Sequence, residues 1–580
     1  MATYFAGDFK NSLFTGAAWQ SDEVMIFVPH ADDEINLTGA TIANLCAHHI
    51  HTRLVYFTNS DDTGENFRRS REAVTAARVL GLDIHHDLIL LGYCNNYRGE
   101  AGARHFYNLP DDFVQTSSTG RQETTGLPEL PEFCYAETGL HQTYTKAHLR
   151  QDIAAVILKY KPNMIFAVDF DRHQDHRALS LIFEEAVASI LRTPGNTYQP
   201  EIYKGFAYNG SYLGRRDFYQ DLNLAGELQA QGDFSNDLRF DTDWPPYLWQ
   251  QRLRLPVPVS CLSRTMRSSL IYEALQQHFS QGIIHNAKRV INSDQIFWRR
   301  RTDSLSYQAQ VTVSSGDGAV LNDFKLADCP DVYAKPAAFT GTWIPAADDT
   351  QKTARLTLAQ PAILARLVLH GNVDPDSRVE KVRLTLSNGF TTTLGPLPAG
   401  AQAYIYDLPS KVSVNWVELR LEATSGMAAG LNEVELYTAA AAPSLLQFLK
   451  IMVNDTFAYD WWLQPGTAKV DLSLYTYGCC SDGAQIFAPG QAATPTFIWE
   501  LSSVGSCSLH GTTLELGDNF EQATVKVSLA ANPHIYDQVI IRHVNQLQLA
   551  HLKLAQAADQ LSHRGEHIAK SSWSKWISKN

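Results

Sequence analysis

Residues 24–34 have the sequence VMIFVPHADDE, in which five apolar residues precede a group with one imidazole and three carboxylates. An uninterrupted apolar run of this length is typical of a strand that is buried on both faces of a parallel sheet. Apolar residues at helical spacing follow it (Leu37, Ile42 and Leu45), so the polar group lies at a strand-to-helix turn. Parallel sheets bind ligands at the carboxyl ends of their strands. The segment therefore predicts a buried strand with a functional site directly after it.

The alternation of strands and helices continues to about residue 305. Further buried strands are predicted at 54–57, 87–91 and 164–168, and helices at 69–80, 147–159 and 178–192. This pattern indicates a Rossmann-like α/β domain over residues 1–305, with a mostly parallel sheet and helices on both faces. Residues 92–145 lack any periodicity, which is typical of a functional loop or lid, with a surface insertion as the alternative.

A second polar segment, DRHQDH at residues 171–176, follows the predicted strand at 164–168. Carboxylates crowded this closely repel one another unless a cation or hydrogen bonds compensate them, and a divalent metal is the simplest compensator. Together, His30, Asp33 and His176 offer two nitrogens and one oxygen, and they leave a fourth position open for water. That is the arrangement that catalytic zinc requires, and zinc lowers the pKa of water to about 7. Iron(II) or cobalt(II) would suit the same ligands almost as well.

PHADDE followed by HQDH resembles the paired motifs of the LmbE-like, or PIG-L, family of zinc-dependent N-acetylglucosamine deacetylases. Ala31 stands where the family motif has proline, a change that affects no functional side chain. Arg69–Glu72 is similar to the R-x-x-E helix of the family, and residues 279–281 and 294–298 are similar to later helical segments of one subgroup. The resemblance covers about residues 20–305.

The resemblance implies a ligand set and a base. His30, Asp33 and His176 would be the metal ligands, with Zn2+ as the cofactor. Asp32 would be the general base that takes a proton from the attacking water.

The resemblance also implies which residues would stabilise the oxyanion, protonate the leaving amine and contact the sugar. His173, as an imidazolium, would stabilise the oxyanion, and Asp175 would orient His173 and favour its charged form. His173 or the protonated Asp32 would then protonate the leaving amine. Arg69 would contact the sugar, although Arg68 and Arg71 are alternatives and a solvated helix face would explain all three.

Neighbouring polar residues have simpler interpretations. Glu34 is expected at the helix N-terminus rather than among the ligands, because the helix dipole favours a carboxylate there. Asp171 and Arg172 are expected to form a surface ion pair. The acidic residues after the second strand are further candidates for substrate contact: Asp61, Asp62 and Glu65.

Beyond residue 305 short strand-like segments recur between Gly, Pro, Asn and Asp residues. Residues 306–438 resemble a discoidin-like, galactose-binding-type β-sandwich, through 314–316, 343–345 and the closing LNEVELY at 431–437. Such a domain would either bind carbohydrate or serve structure. Residues 445–543 are predicted to form an immunoglobulin-like sandwich with Trp499 in its core. Residues 544–580 are predicted to form a C-terminal helix and a basic tail.

Composition limits the classes of partner. The formal net charge of −13 argues against a large nucleic-acid footprint, because phosphate binding needs concentrated Lys and Arg. No apolar run of about 18 residues predicts a transmembrane segment, and no secretory signal is recognisable, so a cytoplasmic location is expected. Scattered cysteines fit reduced thiols, with a disulfide between Cys507 and Cys479 or Cys480 as the alternative. The oligomeric state is not predicted.

Three functions therefore remain open. The first is a zinc-dependent hydrolase that removes an N-acetyl group from an N-acetylated amino sugar in glycan, glycolipid or polysaccharide metabolism. The second is a carbohydrate-binding or scaffold protein that has lost its activity, against which the intact Asp32, Asp33, His173 and His176 argue. The third is an amidase that acts on a sugar–thiol conjugate.

Overall fold

The computed structural model describes residues 23–47, 49–60, 67–95, 105–171, 173–207, 246–247, 253–255, 261, 263–282, 290–291, 295–329, 340–438, 445–454, 456–457, 460–480, 483–486, 496–530 and 532–577. Within these ranges an α/β domain is followed by antiparallel β-sheets and a long C-terminal helix. The predicted fold class, a multidomain chain with an N-terminal α/β sheet, is confirmed.

The first sheet has seven described strands in the order β3-β2-β1-β4-β5-β7-β6. Their bounds are β1 (Glu23–Val28), β2 (His51–Thr58), β3 (Leu88–Tyr93), β4 (Met164–Val168), β5 (Glu201–Gly205), β6 (Leu253–Leu255) and β7 (Gln295–Arg300). The strands β3, β2, β1, β4 and β5 are parallel, whereas β7 is antiparallel to both β5 and β6. The sheet is therefore mostly parallel, as predicted.

Helices cover both faces of this sheet. They are α1 (Asp33–Ala47), α2 (Arg68–Val79), α3 (Phe133–Thr138), α4 (Lys146–Tyr160), α5 (Gln174–Leu191) and α6 (Leu270–Gln277). Successive residues of β1 enter opposite cores: Val24 and Ile26 pack with α1, α2 and α6, whereas Met25 and Phe27 pack with α4 and α5. This double burial explains why the β1 segment is continuously apolar rather than alternating.

The strand order places the two polar segments side by side. The chain runs outward from β1 to β2 and β3, and then returns to β4 on the other side of β1, where Phe27 is paired with Ala167. The carboxyl ends of β1 and β4 thus flank the point at which the strand order reverses, where open α/β sheets bind ligands. The helix α5 also begins earlier than predicted, at residue 174 instead of 178, so the HQDH segment forms its N-cap, His173, and part of its first turn.

The second β region is one antiparallel sheet folded around a single core. Its strands are β8 (Gln310–Val313), β9 (Thr353–Gly371), β10 (Arg378–Leu386), β11 (Thr391–Leu394), β12 (Ala403–Ser425) and β13 (Leu431–Tyr437). Their order is β11-β10-β12-β9-β13, with β8 paired to β9. The long strands β9 and β12 change register between Asp407 and Val412, and all six strands enclose a core that includes Trp343. The β-sheet texture predicted from residue 306 onward is confirmed.

The third β region consists of two sheets that share one core. Its strands are β14 (Leu445–Val453), β15 (Thr456–Phe457), β16 (Asp460–Leu463), β17 (Lys469–Cys480), β18 (Gly483–Ile486), β19 (Phe497–Val504), β20 (Cys507–His510), β21 (Thr513–Leu516), β22 (Gln522–Leu529) and β23 (Asn532–His543). One sheet has the order β15-β14-β17-β21-β20 with β18 on β17, and the other β16-β23-β22-β19. Trp499 packs against the core but is only half-buried, so its predicted central position is wrong. Cys507 is a free thiol, which contradicts the alternative of a disulfide at this position.

The chain ends in α7 (Gln546–Ile577), a helix of 32 residues. The carboxylate of Asp559 accepts the backbone N–H groups of Met266 (2.8 Å) and Arg267 (3.2 Å), which docks the helix on the α/β domain. Gln556 adds a bond to the carbonyl of Arg264 (3.0 Å). Among the described helices, none combines the length and the apolar character that crossing a membrane requires.

Candidate metal centre and active site

The two polar segments are held at the ends of β1 and β4. Asp33 begins α1, and its backbone N–H donates to the carbonyl of His30 (3.3 Å), which closes a tight turn. Asp32 lies inside this turn with φ of 113°, and a positive φ costs a residue with a Cβ about 1–3 kcal/mol. On the other strand His173 is the N-cap of α5. Backbone strain beside a polar cluster is typical of a functional site.

Three side-chain atoms converge beside this turn. His30 Nδ1 lies 3.1 Å from Asp33 Oδ2 and 3.2 Å from His176 Nε2, and the latter two atoms are 3.2 Å apart. Zinc ligands bonded at about 2.0–2.1 Å in tetrahedral geometry are separated by about 3.3 Å. The three atoms, which we call the ligand triangle, therefore have the spacing of three corners of a tetrahedral metal site. All three residues are buried.

The Asp33 carboxylate gives a second indication that a cation binds here. Its Oδ1 atom is buried and has no hydrogen-bond partner among the residues that the structure describes. Burial opposes the ionisation of Asp33, but His176 and His30 outweigh burial and lower its pKa. An ionised carboxylate with an unused buried oxygen, next to two imidazole nitrogens, is a donor set that suits a divalent transition metal.

Two further carboxylates determine which nitrogens of the ligand histidines are available. Asp171 Oδ2 lies 2.7 Å from His176 Nδ1, and Asp175 Oδ2 lies 3.1 Å from His30 Nε2. An ionised carboxylate only accepts, so each neutral imidazole keeps its proton on that nitrogen and its lone pair on the nitrogen of the ligand triangle. His105 Nε2 contacts the other oxygen of Asp175 (2.8 Å). Both histidines are therefore oriented as metal ligands.

A hydrogen bond of His173 argues against a place for this residue among the ligands. One nitrogen each of His30, His173 and His176 lie within 4.8 Å of one another, so distance alone would admit His173 as a ligand. However, the backbone N–H of Asp175 donates to His173 Nδ1 (3.2 Å). The neutral ring then carries its proton on Nε2, which makes Nε2 a hydrogen-bond donor. The geometry thus favours Asp33 over His173 as the third ligand.

The contacts of Asp175 differ from those that the sequence predicted. Its carboxylate was expected to orient His173, whereas it contacts His30 and His105, and His173 receives the backbone N–H. The reason is that Asp175 lies in the first turn of α5, with its side chain directed back toward β1. Burial, His176 and His30 lower the pKa of His173 to about 2, which favours a neutral ring over the predicted imidazolium.

Asp32 directly precedes Asp33 in the chain and is half-buried. Burial and the neighbouring Asp33 raise the pKa of Asp32 to about 7. A carboxylate that titrates near neutral pH suits a general base. Glu34 accepts the backbone N–H of Asp32 at Oε2 (2.8 Å) and contacts His278 at Oε1 (2.5 Å). Glu34 therefore lies outside the ligand triangle, in the first turn of α1, as expected.

Arg69 is the arginine of α2 that reaches this turn. Its Nη2 donates to the carbonyl of Ala31 (3.3 Å) and to Gln281 Oε1 (2.6 Å). Arg68 pairs with an acidic residue of its own helix, and Arg71 with an acidic residue at the surface. The three arginines are therefore not equivalent, and the predicted contact of Arg69 with a sugar stays a prediction.

Three residues of the site were missed or misinterpreted from the sequence. Asp171, expected in a surface ion pair, is 1% exposed and contacts His176. His105 lies in the aperiodic segment at 92–145, and His278 directly follows α6. No local sequence pattern indicates that either histidine belongs to the site. Some of the residues singled out from the sequence lie outside the described part of the chain: Asp61, Asp62, Glu65 and Arg172.

Comparison with protein-family models bears on the segment that contains both polar motifs. Residues 25–187 match the PIG-L family model. That family is described as GlcNAc-PI de-N-acetylase, so the resemblance predicted from the paired motifs is supported for this PIG-L segment. Residues 304–437 match a second model, a domain of unknown function called DUF7402. No match was found among curated proteins.

Solved structures align with parts of this chain at low identity. The N,N'-diacetylchitobiose deacetylase of Pyrococcus horikoshii aligns over 51% of this chain and 89% of its own, with 14% identity and a TM-score of 0.27. The conserved protein TT1542 of Thermus thermophilus aligns over 47% and 92%, with 16% identity and a TM-score of 0.25. The family 32 carbohydrate-binding module of Streptococcus pneumoniae EndoD aligns over 24% and 100%, with 12% identity and a TM-score of 0.18.

Proposed function

We propose that this chain is a metal-dependent hydrolase that removes the N-acetyl group from an N-acetylated amino sugar of the N-acetylglucosamine type, with zinc as its metal. The observation that carries the proposal is the ligand triangle of His30 Nδ1, Asp33 Oδ2 and His176 Nε2. It lies within the segment that matches the PIG-L family model. A divalent metal held there would supply Lewis-acid polarisation of the amide carbonyl and activation of water.

The proton transfers fall to Asp32. Its carboxylate neighbours the ligand triangle and titrates near neutral pH, so it can accept a proton from the attacking water. Once protonated, Asp32 can pass the same proton to the leaving amine, which completes the cleavage of the amide bond. A single carboxylate then serves first as base and afterwards as acid.

His173 would stabilise the developing oxyanion as a neutral donor. The bond from the backbone of Asp175 to Nδ1 leaves the proton on Nε2, and a fixed N–H aimed at developing charge needs no rearrangement during the reaction. Removing one such donor typically costs about 100- to 1000-fold in kcat. Asp175 contributes by holding His30 through its carboxylate and His173 through its backbone.

The appended β regions and the long segment at 92–145 favour a glycan, glycolipid or polysaccharide over a small free sugar. The discoidin-like assignment of residues 306–438 stays a prediction, as does carbohydrate binding by that domain. The complete set of Asp32, the ligand triangle and its supporting carboxylates argues against an inactive scaffold.

The proposal is tested by measuring metal content and acetate release with the full chain. The substrates are N-acetylglucosamine, chitin oligosaccharides, an N-acetylglucosaminyl lipid and a sugar–thiol conjugate. We expect about one zinc per chain, acetate release from at least one of the first three, loss of turnover after chelation and its return with added zinc. A fully metal-loaded protein that releases no acetate from these three would contradict the proposal, and turnover of the sugar–thiol conjugate alone would establish the amidase alternative.

A further inference from the structure

In the turn between β1 and α1, side chains form hydrogen bonds to both the carbonyl and the N–H of one peptide bond. It joins Ala31 to Asp32, directly before the residue with φ of 113°. Its carbonyl oxygen accepts from Arg69 Nη2 (3.3 Å), and its N–H donates to Glu34 Oε2 (2.8 Å). The two gripping residues belong to different helices, α2 and α1, so the peptide plane is fixed from two sides.

The two ends are connected through His278 and Gln281. Glu34 Oε1 lies 2.5 Å from His278 Nε2, and His278 Nδ1 lies 3.1 Å from Gln281 Nε2. Gln281 Oε1 then accepts from the same Arg69 Nη2 (2.6 Å) that contacts Ala31. The bonds therefore form a closed ring, which we call the peptide clamp, and both His278 and Glu34 are 0% exposed.

The direction of every hydrogen bond in the peptide clamp is forced. An arginine only donates, so the Gln281 atom that contacts Arg69 must be the amide oxygen, and its NH2 group faces His278. His278 Nδ1 must then accept, which places the ring proton on Nε2, where it is donated to Glu34. The second oxygen of Glu34 stays free to accept the N–H of Asp32. A fully determined arrangement of this kind specifies one geometry.

We infer that His278 is a positioning residue for the reaction, because it holds Asp32 in its productive orientation through Glu34 and the peptide clamp. This inference rests on the proposed function, in which Asp32 is the base. The unfavourable φ of Asp32 persists only while the surrounding structure holds it, and the peptide clamp is the part that contacts the peptide itself. The segment that carries His278 is fixed in turn, since Ser280 donates to the Glu72 carboxylate of α2 through its N–H (2.9 Å) and its hydroxyl (2.7 Å).

Three substitutions of His278 separate positioning from packing. His278→Gln keeps an amide N–H at the distance of Nε2 and an oxygen that can turn toward Gln281. His278→Asn is equally polar but too short to reach Glu34, and His278→Leu leaves Glu34 Oε1 buried without a donor. The matched control is His51→Leu. His51 also pairs with a carboxylate, that of Asp87 (3.1 Å), but it lies at the amino-terminal end of β2, whereas the candidate site lies at the carboxyl ends of the strands.

Two measurements are made on the zinc-loaded full chain. The first is kcat and KM on the substrate that wild type deacetylates, and the second is hydrogen exchange of the Asp32 amide by mass spectrometry. We expect His278→Leu and His278→Asn to lower kcat about 10- to 100-fold with KM changed less than threefold, and to speed exchange at least tenfold. His278→Gln should stay within about fivefold of wild type in both measurements, and zinc content should be unchanged throughout.

Three outcomes for the His278 variants would contradict the inference. It fails if His278→Leu and His278→Asn match His51→Leu in kcat and in exchange, or if their loss of activity follows a loss of zinc. It also fails if His278→Gln is as impaired as the other two. Failure of the proposed function would show differently, as absence of turnover in wild type, and the exchange measurement would still decide whether the peptide clamp holds Asp32.

Discussion

At the scale of single residues, the adjacent carboxylates Asp32 and Asp33 are driven to opposite behaviour by their surroundings. Burial opposes the ionisation of both side chains and raises the pKa of Asp32, but at Asp33 the imidazoles of His176 and His30 outweigh burial and lower the pKa. Asp33 therefore stays ionised and suits a metal ligand, whereas Asp32 titrates with a pKa of about 7 and suits proton transfer. Two identical side chains placed together thus suit the different proposed roles of ligand and base because their partners differ.

Replacing Asp32 tests this division of roles. Asp32→Ala should lower kcat about 100- to 10,000-fold, the usual contribution of a general acid–base group, and should leave zinc bound, because Asp32 is outside the ligand triangle. Zinc content and initial rates are compared with those of Asp112→Ala, which removes an exposed carboxylate of the same domain. Full activity in Asp32→Ala would refute the assignment of the base.

Replacing Asp171 tests whether its carboxylate orients the His176 imidazole for metal binding. Asp171→Ala removes the acceptor that keeps the proton on Nδ1, so zinc affinity should fall about 10- to 100-fold. Asp171→Asn retains an acceptor oxygen and should recover most of the loss. Competition with a chromogenic chelator measures both variants, and equal affinities in Asp171→Ala and wild type would rule out this role.

At the scale of elements, the contact between α4 and β3 contains a carboxyl group that burial makes unfavourable when charged. Asp152 of α4 is 5% exposed and accepts the hydroxyl of Tyr93 of β3 (2.7 Å). Burial raises the pKa of Asp152 to about 6, well above the value of about 3.9 in an unfolded chain. The folded state therefore keeps a proton that the unfolded state releases, and stability present below about pH 4 is lost as the pH rises through 6.

Asp152→Asn should remove this pH dependence. The amide oxygen still accepts from Tyr93, but the amide group does not ionise. The unfolding free energy of the variant should therefore rise relative to that of wild type as the pH rises from about 4.5 to about 7.5. About two pKa units correspond to at most about 3 kcal/mol of unfolding free energy. Melting midpoints followed by tryptophan fluorescence measure the gain, with Asp112→Asn as the exposed control. The same shift at both pH values would mean that Asp152 is not the titrating group.

At the scale of the whole molecule, hydrogen bonds link the second β region to the ligand triangle. Asp328 accepts the hydroxyl of Tyr107 (2.7 Å), and the backbone N–H of Tyr107 donates to His105 Nδ1 (3.1 Å). His105 contacts Asp175 (2.8 Å), which contacts the ligand His30 (3.1 Å). The second β region is thus connected to the ligand triangle through a segment that has little regular structure of its own.

Removal of the hydrogen bond between Tyr107 and Asp328 should lower the zinc affinity of the proposed site, although neither residue is a proposed ligand. Tyr107→Phe removes the hydroxyl that contacts Asp328 and keeps the ring, so zinc affinity should fall about threefold to tenfold, as for other residues that act through a contact network. Tyr198→Phe is the matched control, because the hydroxyl of Tyr198 donates to the carbonyl of Pro162 (2.7 Å), away from this network. Equal zinc affinities in the two variants would show that the β domain does not support the site.

The α/β fold and the candidates for the ligand set follow from the amino-acid sequence. The apolar run at 24–28 and the one at 164–168 identify two buried strands, and the polar residues after each identify the edge of the sheet where a metal would bind. This much is local information, because strand period and motif spacing are properties of short stretches of chain. Even the separation of Glu34 from the ligands follows from its place at a helix N-terminus.

The contacts around the candidate site follow from the folded chain rather than from any local stretch of sequence. The contacts of Asp171, His105 and His278, and the pairing of Asp175 with His30 instead of His173, depend on which side chains meet across elements far apart in the chain. A hydrogen bond over 145 residues leaves no periodic trace in the sequence, since each partner is constrained only by the position of the other. The sequence therefore determined which residues are candidates to bind metal and transfer protons, and the folded chain determined which residues hold them in place.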